Sequence, residues 1–233
     1  MGKGGGKDFG GGGLPLDGYP LIDISPVIDE NLAVWPGDKS FVREECLSFE
    51  KGDNLTLSSI HTTVHLGAHA DAPLHYHPEG KGMAERGLHH YLGPCLVTRV
   101  SLPKGERIFP RHIKDDLKDD LAGAPRVLFK TGSFPDPGVF NEDFNALSWE
   151  LVDFLAEKGV ILVGLDTPSV DIFSDKVLEA HRAIHAHDMA ILEGVNLEGV
   201  EPGLYQLIAL PLPIRGGDAS PVRAVLLDPR ERP

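Results

Sequence analysis

Residues 65–77 read HLGAHADAPLHYH, four histidines and an aspartate within thirteen positions. A solvated loop has no reason to hold imidazoles this densely, and a buried strand is expected to reject so many polar side chains. Histidine with carboxylate is the donor set of Zn²⁺, Mn²⁺ or Fe²⁺ rather than of Ca²⁺, which takes oxygen. The candidate donors are His65, His69, Asp71, His75 and His77. All are odd-numbered, so a straight strand would align them on one face, but with the backbones of His65 and His69 ~13 Å apart. Metal donors must converge to about 2.0–2.2 Å from one ion. A helix would pair His65 with His69 but turn Asp71 aside, and Pro73 obstructs a helix there. The segment should therefore leave its strand near His65 and turn at Gly67. Ala68, Ala70 and Ala72 keep the turn compact, and the expectation is a loop wrapped around an ion.

A second constellation is HRAIHAHDMAILEGV, residues 181–195. His181 shares a helical face with Leu178 and His185. Glu193 interrupts the apolar run AILEGV, where a carboxylate is costly unless paired or bound to a cation. Spacing alone does not choose among His181, His185 and His187, although His187 reads as a solvated helix end. In GLDTPSVD (164–171), Asp166, Ser169 and Asp171 follow an apolar strand. They either orient ligands from behind or close a hydrogen-bonded turn.

These residues need a scaffold, and the patterning predicts one of α/β class: a single domain with a mixed sheet and helices packed on it. Strands are expected over 21–28, 41–49, 55–66, 92–102, 126–131, 160–166, 190–195, 204–212 and 221–228, bounded by Gly, Pro, Asp and Asn. VILVGLD, nearly all apolar, suits a strand covered on both faces. Helices are expected over 112–123, over 174–186, and in SWELVDFLAEKG, where Ser148 caps the start and Gly159 follows the end. Leu151, Phe154 and Leu155 share its inner face. Residues 1–17 contain eight glycines and little to bury, so a disordered tail is expected before a domain over 18–233.

The whole-chain properties narrow the classes. With 233 residues the chain can bury a sizeable core. A formal net charge of −13 argues against a nucleic-acid partner, which needs a basic surface. No apolar run reaches the roughly 20 residues of a membrane span, and MGKGGGKDFGGGG lacks the apolar segment of a secretory signal. The cysteines, Cys46 and Cys95, form no CxxC pattern, and a cytoplasmic location is expected. The acidic run KDDLKDD (114–120) reads as a solvated helix face.

The run His65-Leu-Gly-Ala-His69-Ala-Asp71-Ala-Pro73-Leu-His75 closely resembles the HxGTHxDxPxH signature of the cyclase-like metal hydrolases, with Ala68 in place of the usual Thr. VWPGD (34–38), YLGPC (91–95), GLDTPSVD (164–171), AILEG (190–194) and ASPVRAVL (219–226) are similar to the bacterial kynurenine formamidase branch of that family. The resemblance covers roughly residues 20–228. It implies a swivelling β/β/α fold, a homodimer and two zinc ions per subunit, with manganese as an alternative. It implies that His65 and His69 bind one metal, that Asp71 and Glu193 bridge, and that His181 binds the second. The twelve-residue spacing from His181 to Glu193 matches the family and selects His181 over His185. His75 matches the general acid/base, and Trp35 a position against the substrate's aromatic ring. His77 and the glycine tail have no counterpart.

The reaction so implied is hydrolysis of an aryl formamide, N-formyl-L-kynurenine, to L-kynurenine and formate, a step of tryptophan catabolism. His75 would deliver the proton that the departing aniline nitrogen requires. Two rivals stand beside it. One is the same chemistry on isatin or another cyclic or aryl amide. The other is a non-catalytic metal-binding protein on the same fold, which would have no need of the extra base at His75.

Overall fold

The structure, a computed structural model, describes residues 21–113 and 121–229. The glycine-rich tail, and the greater part of both the helix expected over 112–123 and its acidic face, lie outside the described residues. The strands are β1 (Leu21–Asp23), β2 (Val42–Leu47), β3 (Leu57–His61), β4 (His69–Asp71), β5 (Leu92–Arg99), β6 (Arg107–Ile108), β7 (Arg126–Lys130), β8 (Ala146–Leu147), β9 (Leu162–Leu165), β10 (Ala190–Glu193), β11 (Gly203–Ile208), β12 (Ala219–Pro221) and β13 (Val225–Leu227). Two α-helices occur among the described residues, α1 (Trp149–Glu157) and α2 (Glu179–Ala186).

Nine strands form one mixed sheet in the order β1-β13-β11-β5-β7-β9-β10-β4-β12. The middle run β5-β7-β9-β10 is parallel, and the flanking pairs are antiparallel. β2 and β3 form a separate hairpin, all of whose β3 residues are exposed. The α/β architecture predicted from the apolar patterning is thus present as one domain.

Strand alternation divides the core in two. Leu128, Leu162 and Leu192 point to one side, where they meet Tyr91, Cys95 and Tyr205. Val127, Val163, Leu165 and Ile191 point to the other and pack under Leu151, Leu155, Ala180 and Ile184 of the two helices. All four residues of β9 are buried, as its unbroken apolar run requires. Ser148 caps α1 through its hydroxyl, which accepts the Leu151 N–H at 3.2 Å. Gly159 follows that helix in the left-handed region at φ +84°.

Several elements are shorter than their apolar runs. β1 ends at Asp23 rather than at residue 28, because Asp23 and Ser25 turn the chain through side-chain hydrogen bonds. α2 begins at Glu179, not at 174, because Leu178 adopts a left-handed backbone at φ 58°. Asp175 closes the turn before the helix, accepting the N–H groups of Val177 and Leu178.

Candidate metal centre

The expected loop around an ion is in part a strand. The chain bends at Gly67 (φ +56°), where a Cβ would meet Pro26 at 3.1 Å, and then enters the sheet as β4. His69, Ala70 and Asp71 are all buried. This corrects the expectation that a buried strand rejects such polarity: the polar side chains sit on one face and are matched there by charge. Ala70 and Ala72 fill the opposite core, which leaves His69 and Asp71 on the helix side. The antiparallel register sets Glu193 beside His69 and Ile191 beside Asp71, so Glu193 shares that face. Close approach at this corner requires glycine: a Cβ on Gly194 would lie 2.2 Å from the Gly67 carbonyl oxygen.

The helix α2 closes the cluster from above. His181 is buried and turns Nε2 towards Asp71 Oδ2 (3.5 Å) and Glu193 Oε1 (4.0 Å). Its Nδ1 lies 2.8 Å from Asp171 Oδ2. His69 Nε2 lies 3.2 Å from Glu193 Oε2 and 3.5 Å from Asp71 Oδ1, while its Nδ1 is held 2.9 Å from the Gly67 carbonyl. His65 turns Nδ1 to Asp71 Oδ1 at 3.0 Å. The 3₁₀ turn Pro73–His75 carries His75 to the cluster's open edge, its ring 4.2 Å from that of His65. The other candidates separate. His185 stacks on His77 at 4.1 Å, away from the carboxylates, and His187 caps α2 and meets Asp153 at 2.8 Å.

These side chains fit a cation. His69 Nε2 and both Asp71 oxygens are buried and make no well-formed hydrogen bond, and the polar atoms nearest them are ring nitrogens and carboxylate oxygens at 3.0–3.5 Å. Buried lone pairs left without donors are costly, and a divalent ion among them removes the cost. Donor atoms within 4.8 Å of one another occur in the sets His65–His69–Asp71, Asp71–His75–His181 and His65–His75–Asp218. The electrostatics agree. Burial alone would raise the Asp71 carboxyl, but His181 and His65 hold it well below the usual range. Burial pulls His65 down, and Asp71 and Asp218 override it and lift the imidazole to about 9. His181 is lifted likewise, against its burial, by Asp171 and Asp71 to about 10. His75 behaves oppositely: burial pushes it below its ordinary value, so it is neutral at pH 7.

The cluster opens into a cavity of about 470 Å³. Trp35, Phe134 and Phe140 line it, and Lys130, Asp38 and Glu198 bring charge of both signs. Trp35 is braced edge-on by Phe140 at 5.4 Å and lies 5.0 Å from Phe173. Of the polar residues after β9, Asp171 reaches a candidate ligand, whereas Asp166 closes a turn by accepting the N–H groups of Thr131 and Gly132. Sequence reasoning missed Asp218, whose Oδ2 lies 3.1 Å from His65 Nε2. It also missed Tyr76, whose ring packs 5.0 Å from that of His181. No helix among the described residues is long and apolar enough to cross a membrane.

The chain is similar to known proteins over most of its length. Residues 22–172 match the model of the family described as "Putative cyclase". A solved potential metal-dependent hydrolase with cyclase activity is 26% identical with a TM-score of 0.70, over 90% of this chain and 99% of that one. A predicted metal-dependent hydrolase from Bacillus stearothermophilus is also 26% identical, with a TM-score of 0.69 over 90% and 98% of the two chains. Isatin hydrolase A from Labrenzia aggregata shares the fold at 22% identity, with a TM-score of 0.75 over 90% and 93%.

Proposed function

The chain belongs to the Cyclase family and has the fold of its metal-dependent hydrolases, and from that premise we propose that it is an arylformamidase, splitting N-formyl-L-kynurenine into L-kynurenine and formate. The observation that carries the reading is the junction of two features: a buried cluster of metal donors, and a cavity walled by Trp35, Phe134 and Phe140 with Lys130, Asp38 and Glu198 also lining it. An aromatic amide with a zwitterionic amino-acid tail uses both. Its ring lies against the aromatic wall, and its carboxylate and ammonium find opposite charges.

His65, His69, Asp71, His181 and Glu193 would hold two zinc ions, or manganese. When bound, such ions supply Lewis acidity towards water and the scissile carbonyl. The rest belongs to side chains. Trp35 holds the substrate ring by stacking area. Asp171 and the Gly67 carbonyl fix the rings of His181 and His69, so the cluster needs little rearrangement when substrate arrives. His75, neutral at pH 7 and 37% exposed at the cluster's edge, takes a proton as water adds to the formyl carbon. It then gives that proton to the aniline nitrogen as the C–N bond breaks. Without it the nitrogen would leave as an amide anion.

Isatin is the second reading, favoured by the fold shared with isatin hydrolases. A neutral bicyclic amide would use the aromatic wall but bring no charge to set against Lys130, Asp38 and Glu198. The deciding experiment incubates zinc-loaded protein with N-formyl-L-kynurenine and with isatin in parallel, following kynurenine absorbance and isatin loss, with a chelated control. Chelator-sensitive release of kynurenine is expected. Turnover of isatin alone would replace the first reading with the second.

A further inference from the structure

Each candidate ligand histidine has two ring nitrogens, and only one can face the cluster. In His69 the other nitrogen, Nδ1, is 2.9 Å from the Gly67 carbonyl. In His181 it is Nδ1 again, 2.8 Å from Asp171. His65 is reversed: Nδ1 faces Asp71 at 3.0 Å, and Nε2 faces Asp218 Oδ2 at 3.1 Å. We infer that Asp218 is the positioning residue of His65, its carboxylate accepting a hydrogen bond from Nε2–H so that the Nδ1 lone pair is turned into the metal cluster. The inference rests on the metal-dependent hydrolase reading and adds to it a residue 153 positions away in the chain.

The physical reason is tautomer control. A neutral imidazole carries one N–H, and a lone pair for a metal exists only on the other nitrogen. An outer carboxylate that accepts the N–H selects the tautomer, fixes the ring angle and makes the inner nitrogen more basic. The backbone holds Asp218 in place independently of its side chain. Ala219 pairs with Asp71 across β12 and β4, and the Asp218 carbonyl accepts the Ala72 N–H at 2.8 Å. Its side chain is 48% exposed, so replacing it opens no core cavity. The same oxygen stands 3.8 Å from His75 Nδ1, so activity alone would not separate a role at His65 from one at His75.

The test therefore reads metal binding. Full-length Asp218→Ala, Asp218→Asn and Asp218→Glu proteins are stripped, checked by circular dichroism, and titrated with Zn²⁺ or Co²⁺ in competition with a chromogenic chelator. The alanine variant is expected to keep the wild-type number of ions but to bind them roughly 10–100-fold more weakly, with the glutamate variant recovering part of the loss. The asparagine variant, which keeps the shape and one acceptor oxygen, should fall between. Unchanged affinity in the alanine variant would overturn the inference. Loss of one ion per chain would overturn it too, by making Asp218 a ligand. Since no substrate enters this measurement, its failure is distinct from a failure of the formamidase reading.

Discussion

Asp171 Oδ2 lies 2.8 Å from His181 Nδ1, and the same buried carboxylate accepts the backbone N–H groups of both Ala180 and His181. One side chain thus orients a candidate ligand, caps the start of α2 and binds Arg107 at 2.8 Å. Removing it should act on stability and metal binding together. Asp171→Ala leaves Arg107 short of a partner and two helix N–H groups unmet, so unfolding stability should fall by about 3 kcal/mol. Denaturant titration of stripped protein measures that loss, and a change below ~1 kcal/mol would contradict the account. Burial would raise the Asp171 carboxyl, but His181 and Arg107 hold it well below the ordinary carboxylate value. Its stabilisation is therefore complete above pH ~4 and disappears as pH falls below.

Substitutions in the cluster should separate chemistry from metal binding. His75 stands at the open edge of the cluster, whereas His69 and Asp71 are buried within it. His75→Ala should keep its metal and lose about 10²–10⁴ in kcat, the usual scale of a general acid/base. His69→Ala and Asp71→Ala should lose metal as well as turnover. Elemental analysis beside kcat reads both. Loss of an ion in His75→Ala would reassign that residue as a ligand, as its place in two of the donor sets would permit.

Trp35 touches Phe140 and Phe173 on one side and the cavity on the other. Stacking on a substrate ring contributes equally before and during the reaction, so Trp35→Ala should raise KM by roughly tenfold, about 1.4 kcal/mol, with little change in kcat. A drop in kcat at constant KM would mean that Trp35 senses the transition state instead.

Local crowding of donors is legible in a sequence, whereas contacts made by distant strands are not. His65, His69 and Asp71 stood out because donors of one kind crowd a short segment, and Glu193 because a carboxylate interrupted an apolar strand. The α1 helix announced itself through Ser148 and Gly159. Asp218 carried no such signal. It is one acid in a GGDAS turn, and only the antiparallel pairing of β12 with β4 brings it to His65. His181 and His185 share one helical face, so periodicity alone does not separate them; the family's spacing to Glu193 selects His181, and the seating of α2 puts it in the cluster. Polarity weighed residue by residue makes β4 look like a loop. In the sheet, alternation sorts the chain into an alanine face for the core and a charged face for the site.

In the stripped protein, stability should depend on pH through the histidines of the cluster. Asp71 and Asp218 hold His65 up to about 9 despite its burial, and Asp171 with Asp71 holds His181 up to about 10. An unfolded imidazole titrates near 6.5. A group whose folded value is the higher one stabilises the fold fully below 6.5, and that contribution is lost as pH climbs through the folded value. Stripped protein should therefore melt at steadily lower temperature between pH 6.5 and about 10. Metal loading should flatten or reverse the slope, because a cation takes the place of the protons and binds better as they leave. Thermal melts of both forms across this range decide the matter. Parallel curves would show that the histidines and the cation do not compete for the same lone pairs, and the candidate site would have to be moved elsewhere.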